Sequence, residues 1–447
     1  MGLWSTVPSA SKRFAKWTFL RRTVTLAVVL PAMISTIYWL IRTFSYIGPQ
    51  EYFAPHERPL IRSLATIPMV AIPARGIYVL MCLTFGHVDL GSLAEEIEKV
   101  AVISVNSREM YVHLLKKWRR TNALLLVYCI AAFWTTVILN DLHNSLSLTH
   151  GSEDGSVKLA PLSLRIPLWV IIVMDVVFSR IPYVLSQLVL ITITASAFVL
   201  IDCVVSVNGN LEGLDGEIVE MMTQPSDLPT RNRCSGYLDN PVYGIERSTS
   251  VAETLMQVRA AQFHFVDRTN HKLGVFLLIS YLVDLVVSAG MLAVVITNEE
   301  HTPYSLPAKV VGTAVFVSYA ILVFVPMVIA SEKALSTASI LYQTIMKAND
   351  LLKTPQGKAL RKVLTKFRTL ASAFPINFSA GNLFYIDRNF LVATFTLLFT
   401  YAVLVREFLD QQDVRALVET SANTSALLEA VLNTTNVSTP VPLMKHL

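Results

Sequence analysis

The chain has 447 residues, 53% of them hydrophobic and 15% charged, with a mean hydropathy of +0.51. Soluble domains carry about 25% charged residues, and here the apolar residues gather in blocks near the ~20 needed to cross a ~30 Å hydrocarbon core. That excludes an ordinary soluble domain, and the absence of any collagen-like or low-complexity tract removes the fibrous and disordered classes. The net charge of +5 says little as a total; the placement of the charges says more.

In chain order the apolar blocks are 23–47, 64–85, 123–140, 164–207, 273–297, 308–330 and 389–408. Six are single spans. The fourth, of 44 residues, would be about 66 Å long as a helix, and Ser179-Arg180-Ile181-Pro182 interrupts it, so it is two helices or one long one. Parity decides. Lys12, Arg13, Lys16, Arg21 and Arg22 put the N-terminus in the cytoplasm, whereas N-x-S/T acceptors at Asn423, Asn433 and Asn436 require the lumen or the outside. Opposite ends on opposite sides need an odd number of spans. The long block therefore counts once, and the expectation is an all-α, polytopic, multi-pass plasma-membrane protein with seven transmembrane helices, N-terminus cytoplasmic and C-terminus extracellular.

The basic residues agree with this assignment. Segments 1–22, 86–122, 208–272 and 331–387, expected inside, hold 5, 6, 6 and 8 Lys and Arg, whereas 48–63, 141–163, 298–307 and 409–447, expected outside, hold 2, 1, none and 2. The first span is expected to stay as a helix, because its apolar run is too long for a signal peptide and no A-x-A-like site follows. Met1-Gly2-Leu3-Trp4-Ser5-Thr6 fits the myristoylation pattern formally, but one acyl chain adds little to seven helices.

Below the membrane, 87–121 read as helical extensions that end in the basic run Lys116, Lys117, Arg119, Arg120. Residues 223–249, with Pro225, Pro229 and Pro241, read as a flexible loop. Residues 251–272 and 332–353 have helical composition continuous with spans five and six and are expected to pack together in the cytoplasm. The resulting division is a cytoplasmic N-terminus (1–22), spans one to six with a ligand pocket (23–330), a cytoplasmic helical region (331–387), span seven (388–408) and a glycosylated outer tail (409–447).

The four cysteines, Cys82, Cys129, Cys203 and Cys234, form no CxxC pair, and the nine histidines have no metal-ligand spacing. Nucleotide, nucleophile-elbow and zincin motifs are all missing from the sequence. No enzyme, cofactor, metal or nucleic-acid partner is expected. Asn377-Phe378-Ser379 is a formal glycosylation site that the topology places in the cytoplasm. Arg75 in span two and Asp284 in span five fall near mid-bilayer, where an ionisable group costs at least ~2.5 kcal/mol and needs a reason. They are candidates for pairing with each other or for holding a polar ligand, and Trp134, Tyr281 and Tyr319 are candidates to stack on a ligand ring or to pack. Asp175 is expected in the outer part of the fourth helix, where solvent accounts for it.

The most informative stretch is FPINFSAGNLFYIDRNFLVATFTLLFTYAVLVREF, from Phe374 to Phe408. Its end, Thr400-Tyr401, five residues, then Glu407-Phe408, resembles the signature that closes the last helix of insect gustatory receptors. The small-residue break Ser379-Ala380-Gly381, aromatic Phe384-Tyr385 and Ile386-Asp387-Arg388 are similar to the same family, as is Asp267-Arg268-Thr269-Asn270 leading into Leu273-Gly274. The chain departs from the family in having Glu407 where Gln is usual and in continuing for 39 residues past Phe408.

The resemblance implies a tetrameric ligand-gated cation channel, homomeric or assembled with related receptors, in which the last helix of each subunit lines a shared pore and 331–387 join the subunits. At 3.6 residues per turn, the face bearing Glu407 also bears Leu404, Val403, Thr400 and Thr396. Val403 and Leu404 then form an apolar gate and four copies of Glu407 a cation-favouring ring; the plainer reading of Glu407 is a solvated carboxylate beside Arg406 or Arg415. The small-molecule stimulus would be a tastant. Alternatives are an odorant-receptor-like channel for a volatile or a membrane transporter; a metabotropic receptor requires the opposite orientation.

Overall fold

A computed structural model describes residues 70–83 apart from 73, 90–105, 108–149, 156–159, 164–167, 181–223, 241–296, 305–355 and 357–407, with isolated positions at 30, 33, 34, 411 and 425. These residues are nearly all helical. The helices are α1 (Val70–Leu83), α2 (Leu90–Ser104), α3 (Arg108–Thr149), α4 (Ile181–Thr223), α5 (Pro241–Ile296), α6 (Ser305–Lys347), α7 (Asn349–Lys353), α8 (Gly357–Ala373) and α9 (Arg388–Glu407). Two small antiparallel hairpins complete the described residues: β1 (Ser156–Leu159) with β2 (Leu164–Pro167), and β3 (Ser379–Ala380) with β4 (Phe384–Tyr385).

Four described helices are long and apolar enough to cross a membrane, within α4, α5, α6 and α9. Expectations for spans one and three, for Asp175 and for the tail, including Asn423, Asn433, Asn436 and Phe408, fall wholly or partly outside the described side chains. Two expectations need correction. The apolar block 164–207 is not helical throughout: Leu164–Pro167 pairs with Ser156–Leu159, in register Ser156 with Pro167, and the helix starts at Ile181. Pro182 then lies in the first helical turn, where its missing N–H costs nothing. Likewise 241–249 are not loop. Pro241 opens α5, a continuous helix of 56 residues, about 84 Å long at 1.5 Å per residue.

α4, α5 and α6 form the centre of the bundle, α2 and α3 pack on α4, and α8 packs on α5 and α6. Two apolar cores are stacked along the long helices. One joins α1 to α6 with the β3–β4 segment, through residues such as Val79, Ile97, Trp118, Leu200, Phe276, Met327 and Phe378. The other lies around the far ends of α4, α5 and α6 and includes Leu214, Leu255, Leu341 and Leu352. α8 closes it with Leu360, Leu364, Phe367 and Ala371, a spacing of three and four residues that puts all four side chains on one helical face. The other face carries exposed Lys358, Arg361, Lys362, Lys366 and Arg368, so composition alone fixes which side is buried.

The cores are separated by polar residues. On α4 the step falls between Val204 and Val207, on α5 between Val258 and Phe265, and on α6 between Ala334 and Leu341. Asn208 bridges α4 to α6, donating from Nδ2 to the Lys333 carbonyl (2.9 Å) and accepting from Thr337 Oγ1 (2.7 Å). Ser206 Oγ donates to the Ser104 carbonyl of α2 at 3.0 Å. Ion pairs fix neighbouring helices at the periphery: Lys117 with Asp202 (2.7 Å), Arg268 with Glu96 (2.5 Å) and Lys347 with Asp215 (2.8 Å). Exposed pairs of this kind add at most about 1 kcal/mol each; they set orientation more than stability.

Candidate functional site: the last helix and its anchorage

The approach to α9 is built by local chemistry. Pro375 prevents α8 from continuing, and the chain turns back through β3 and β4. Gly381, Asn382 and Leu383 form the three-residue loop between them, with Gly381 and Asn382 at φ +61° and +57°, the left-handed pair at the centre of a tight turn. Leu383 N–H closes the turn on the Ala380 carbonyl at 3.1 Å.

α5 grips this hairpin. The Asn270 side chain makes both bonds an amide can make to a passing strand: Nδ2 donates to the Asn377 carbonyl and Oδ1 accepts from the Ser379 N–H, each at 2.8 Å. One turn on, the Gly381 N–H donates to the Gly274 carbonyl at 2.7 Å. Backbones approach so closely because both residues lack a side chain: a Cβ on Gly274 would lie 3.2 Å from Gly381 N, and one on Gly381 would meet Leu278 Cδ2 at 2.8 Å. Asp387 then caps α9, its Oδ1 accepting from the Phe390 N–H at 2.8 Å.

Above the clamp, Tyr281 of α5 sits among Phe324 of α6 and Phe384 and Phe390 at the base of α9, with ring centroids 4.7–5.9 Å away. Phe384 and Phe390 are stacked at 5.1 Å. The Tyr281 hydroxyl lies 2.9 Å from Thr394 Oγ1, which donates to the Phe390 carbonyl at 2.8 Å. Thr394 has one hydrogen and it is committed, so Tyr281 is the donor. One turn further along α5, Asp284 accepts from the Arg75 guanidinium of α1, both side chains buried. α5 thus holds α1 on one residue and α9 on another a single turn away.

Tyr281, Asp284 and Ser288 line a crevice with Phe324, Phe390, Thr394 and Leu398, of about 20 Å³. That is room for about one water, and in this conformation no organic ligand fits.

α9 packs on α5 and α6 along a single narrow seam. Ala402 and Val405 are buried and Leu391, Thr394, Leu398 and Tyr401 half-buried, while Thr396, Thr400, Val403, Leu404 and Glu407 are all exposed on the other side. An open groove along α9 runs past Val392, Ala393, Thr396, Thr400 and Leu404. The five residues singled out through the family resemblance and helical spacing therefore share one unpartnered face.

Only three of the five ligand candidates are brought together. Arg75 and Asp284 pair, and Tyr281 joins the α9 anchorage. Tyr319 is buried against Tyr128, centroids 5.3 Å apart, and donates to the Cys129 carbonyl at 3.5 Å. Trp134 is exposed on α3. Thr394, Phe324 and Phe390 were not flagged by the sequence; the only signal for Thr394 is a hydroxyl on the packed seam of an apolar helix.

Long apolar helices in one bundle, four of them able to cross a membrane by length and composition, with the Arg75–Asp284 pair buried among them, define a polytopic helical membrane protein. Residues 5–408 match the 7tm Chemosensory receptor family, and the chain belongs to it. Among solved structures it is similar to the insect olfactory receptor OR5 from Machilis hrabei in complex with eugenol, with TM-score 0.56 and 9% identity, covering 90% of this chain and 93% of that one. It is also similar to the same receptor in a second structure, with TM-score 0.57 and 9% identity, covering 85% and 87%. At that identity the likeness shows a shared fold. No curated protein matches the chain.

Proposed function

We propose that this chain is a gustatory-type ligand-gated, non-selective cation channel of the plasma membrane, opened by a tastant, in which four copies of α9 surround a central pore. The observation that carries this reading is the unpartnered face of α9. A helix that met only lipid on that side would have no use for Thr396, Thr400 and Glu407 among its apolar residues, whereas a water-filled pore accepts hydroxyls and a carboxylate ring. Val403 and Leu404, half-exposed between Thr400 and Glu407, serve as the apolar gate. Family membership supports the chemosensory role.

The arrangement uses seven spans with the N-terminus inside, residues 331–387 as the cytoplasmic region where subunits touch, and an outer tail glycosylated at Asn423, Asn433 and Asn436. Arg75 and Asp284 transmit or sense ligand through α5, with Tyr281 in the aromatic wall beside them; Trp134, exposed on α3, and Tyr319, packed on Tyr128, lie outside that wall. A second reading, an odorant-type channel for a volatile, is favoured by the likeness to an olfactory receptor solved with eugenol. Expression with a calcium reporter against sugars, bitter compounds, amino acids and volatiles separates the two.

Whole-cell recording of Glu407→Gln tests the pore. The reversal potential and calcium permeability are expected to change while stimulus sensitivity is kept. Identical permeability and block in the variant would remove Glu407 from the pore.

A further inference from the structure

The outward side of α3 carries three cations that no carboxylate of the described chain neutralises. α3 packs on α4 and α6 through Leu114, Trp118, Leu125, Cys129 and Ala132, all buried. Its rotation is fixed by Asp202 of α4, which accepts from Lys117 Nζ at 2.7 Å and from Trp118 Nε1 at 2.9 Å. That contact takes up one member of the basic run and leaves the other three pointing away. Lys116, Arg119 and Arg120 are exposed, and among the described residues no carboxylate pairs with them.

The same face runs on as an apolar stripe. Ala123, Val127 and Ile130 follow at intervals of three and four residues, which keeps them in line with Lys116 and Arg120, and Leu124 lies beside them. All four are exposed, Leu124 at 65% and Val127 at 63%. Arg120 and Ala123 are about 4.5 Å apart along the axis, so the cations stand at the rim of the stripe, at the level a phosphate takes when acyl chains cover the apolar side. The charge selects the lipid. A zwitterionic headgroup brings an ammonium of its own against the cluster, whereas an anionic one brings net negative charge, and each Lys or Arg at such a surface adds to the attraction. Two of the three cations are guanidinium groups, whose planar fork takes two phosphate oxygens at once.

We propose that Lys116, Arg119 and Arg120 form a binding site for the headgroup of an anionic phospholipid, with an acyl chain laid along Ala123, Val127 and Ile130. Because Asp202 locks α3 from the other side, the three cations are held in place before the lipid arrives, and the bound lipid fixes the depth of α3 and α4 in the bilayer. The site requires that α3 cross the membrane and is independent of the channel reading.

The test is native mass spectrometry of the full-length protein in a neutral detergent, titrated with short-chain phosphatidylserine or with phosphatidylcholine of equal chain length. Phosphatidylserine is expected to bind at least about tenfold more tightly. Replacing the three cations together, Lys116→Gln, Arg119→Gln and Arg120→Gln, should bring it to the phosphatidylcholine level. Glycerophosphoserine, the same headgroup without chains, should compete only weakly. A phosphatidylserine with a diazirine in its acyl chain should label residues 123–130 of the unmodified protein, a measurement that needs no variant. Equal affinity for the two lipids, a preference that the triple variant retains, competition by the chainless headgroup as strong as by the lipid, or labelling confined to other segments each overturns the site.

Discussion

α4 and α9 both qualify as membrane spans, but 67% of the apolar window of α4 is buried in the chain and only 11% of that of α9. α4 is finished within one subunit. Small residues at its centre, among them Ala195, Ser196 and Ala197, let α6 and α2 approach. Three of its hydroxyls are also satisfied within the helix: Thr192, Thr194 and Ser196 each donate to the carbonyl four residues earlier, at 2.9–3.0 Å. α9 instead holds the chain by one seam and a clamp at its base, and leaves Val392, Leu397, Phe399, Val403 and Leu404 exposed. A helix so incompletely packed needs further surroundings, whether lipid, other subunits or pore water.

The largest contrast should come from equal truncations in the two helices. Leu200→Ala, at a fully buried position of α4, is expected to cost about 2–5 kcal/mol and to reduce surface expression sharply. Leu404→Ala, more than half exposed, should change subunit stability by less than about 0.5 kcal/mol and alter basal current instead. Comparing thermal unfolding with unstimulated conductance in the two variants checks this; equal losses of stability would erase the distinction.

Next in size is the Arg75–Asp284 pair. Removing one partner leaves a buried charge, at about 3–5 kcal/mol, so Asp284→Asn and Arg75→Gln should each lower surface levels and shift the stimulus dose-response with single-channel conductance intact. Exchanging the two residues should recover part of the surface level, as biotinylation would show.

The clamp sharpens the comparison further. Asn270→Ala gives up two bonds to the hairpin and leaves its Asn377 and Ser379 partners unsatisfied, at about 1–3 kcal/mol. The expected result is a folded protein whose basal opening differs from the original, because α9 has lost its fixed base. Smallest is Tyr281→Phe, which removes a single hydrogen bond to Thr394, about 1 kcal/mol, and should move the half-maximal stimulus concentration about fivefold without changing expression.

Sequence alone exposed what composition and helical period control. Ionisable Arg75 and Asp284 stood out because hydrocarbon penalises them, and the five α9 residues followed from the family resemblance of the last helix, extended from Glu407 by 3.6-residue spacing. The start of α4 did not, since an apolar run such as 164–207 reads the same whether strand or helix. Pro241 was read as a loop breaker although proline is equally at home in the first turn of a helix. Thr394 was invisible because its partner is 113 residues away.

The most direct test of the proposed pore is cysteine substitution along α9, probed with a membrane-impermeant, cationic thiol reagent from outside during stimulation. Cysteines at Thr396, Thr400, Val403 and Glu407 should be modified in the open state and suppress the stimulated current, whereas those at Leu391, Leu398, Ala402 and Val405 should not. Suppression that follows the packed seam, or no suppression at any exposed position, would contradict the assignment of α9 to the pore.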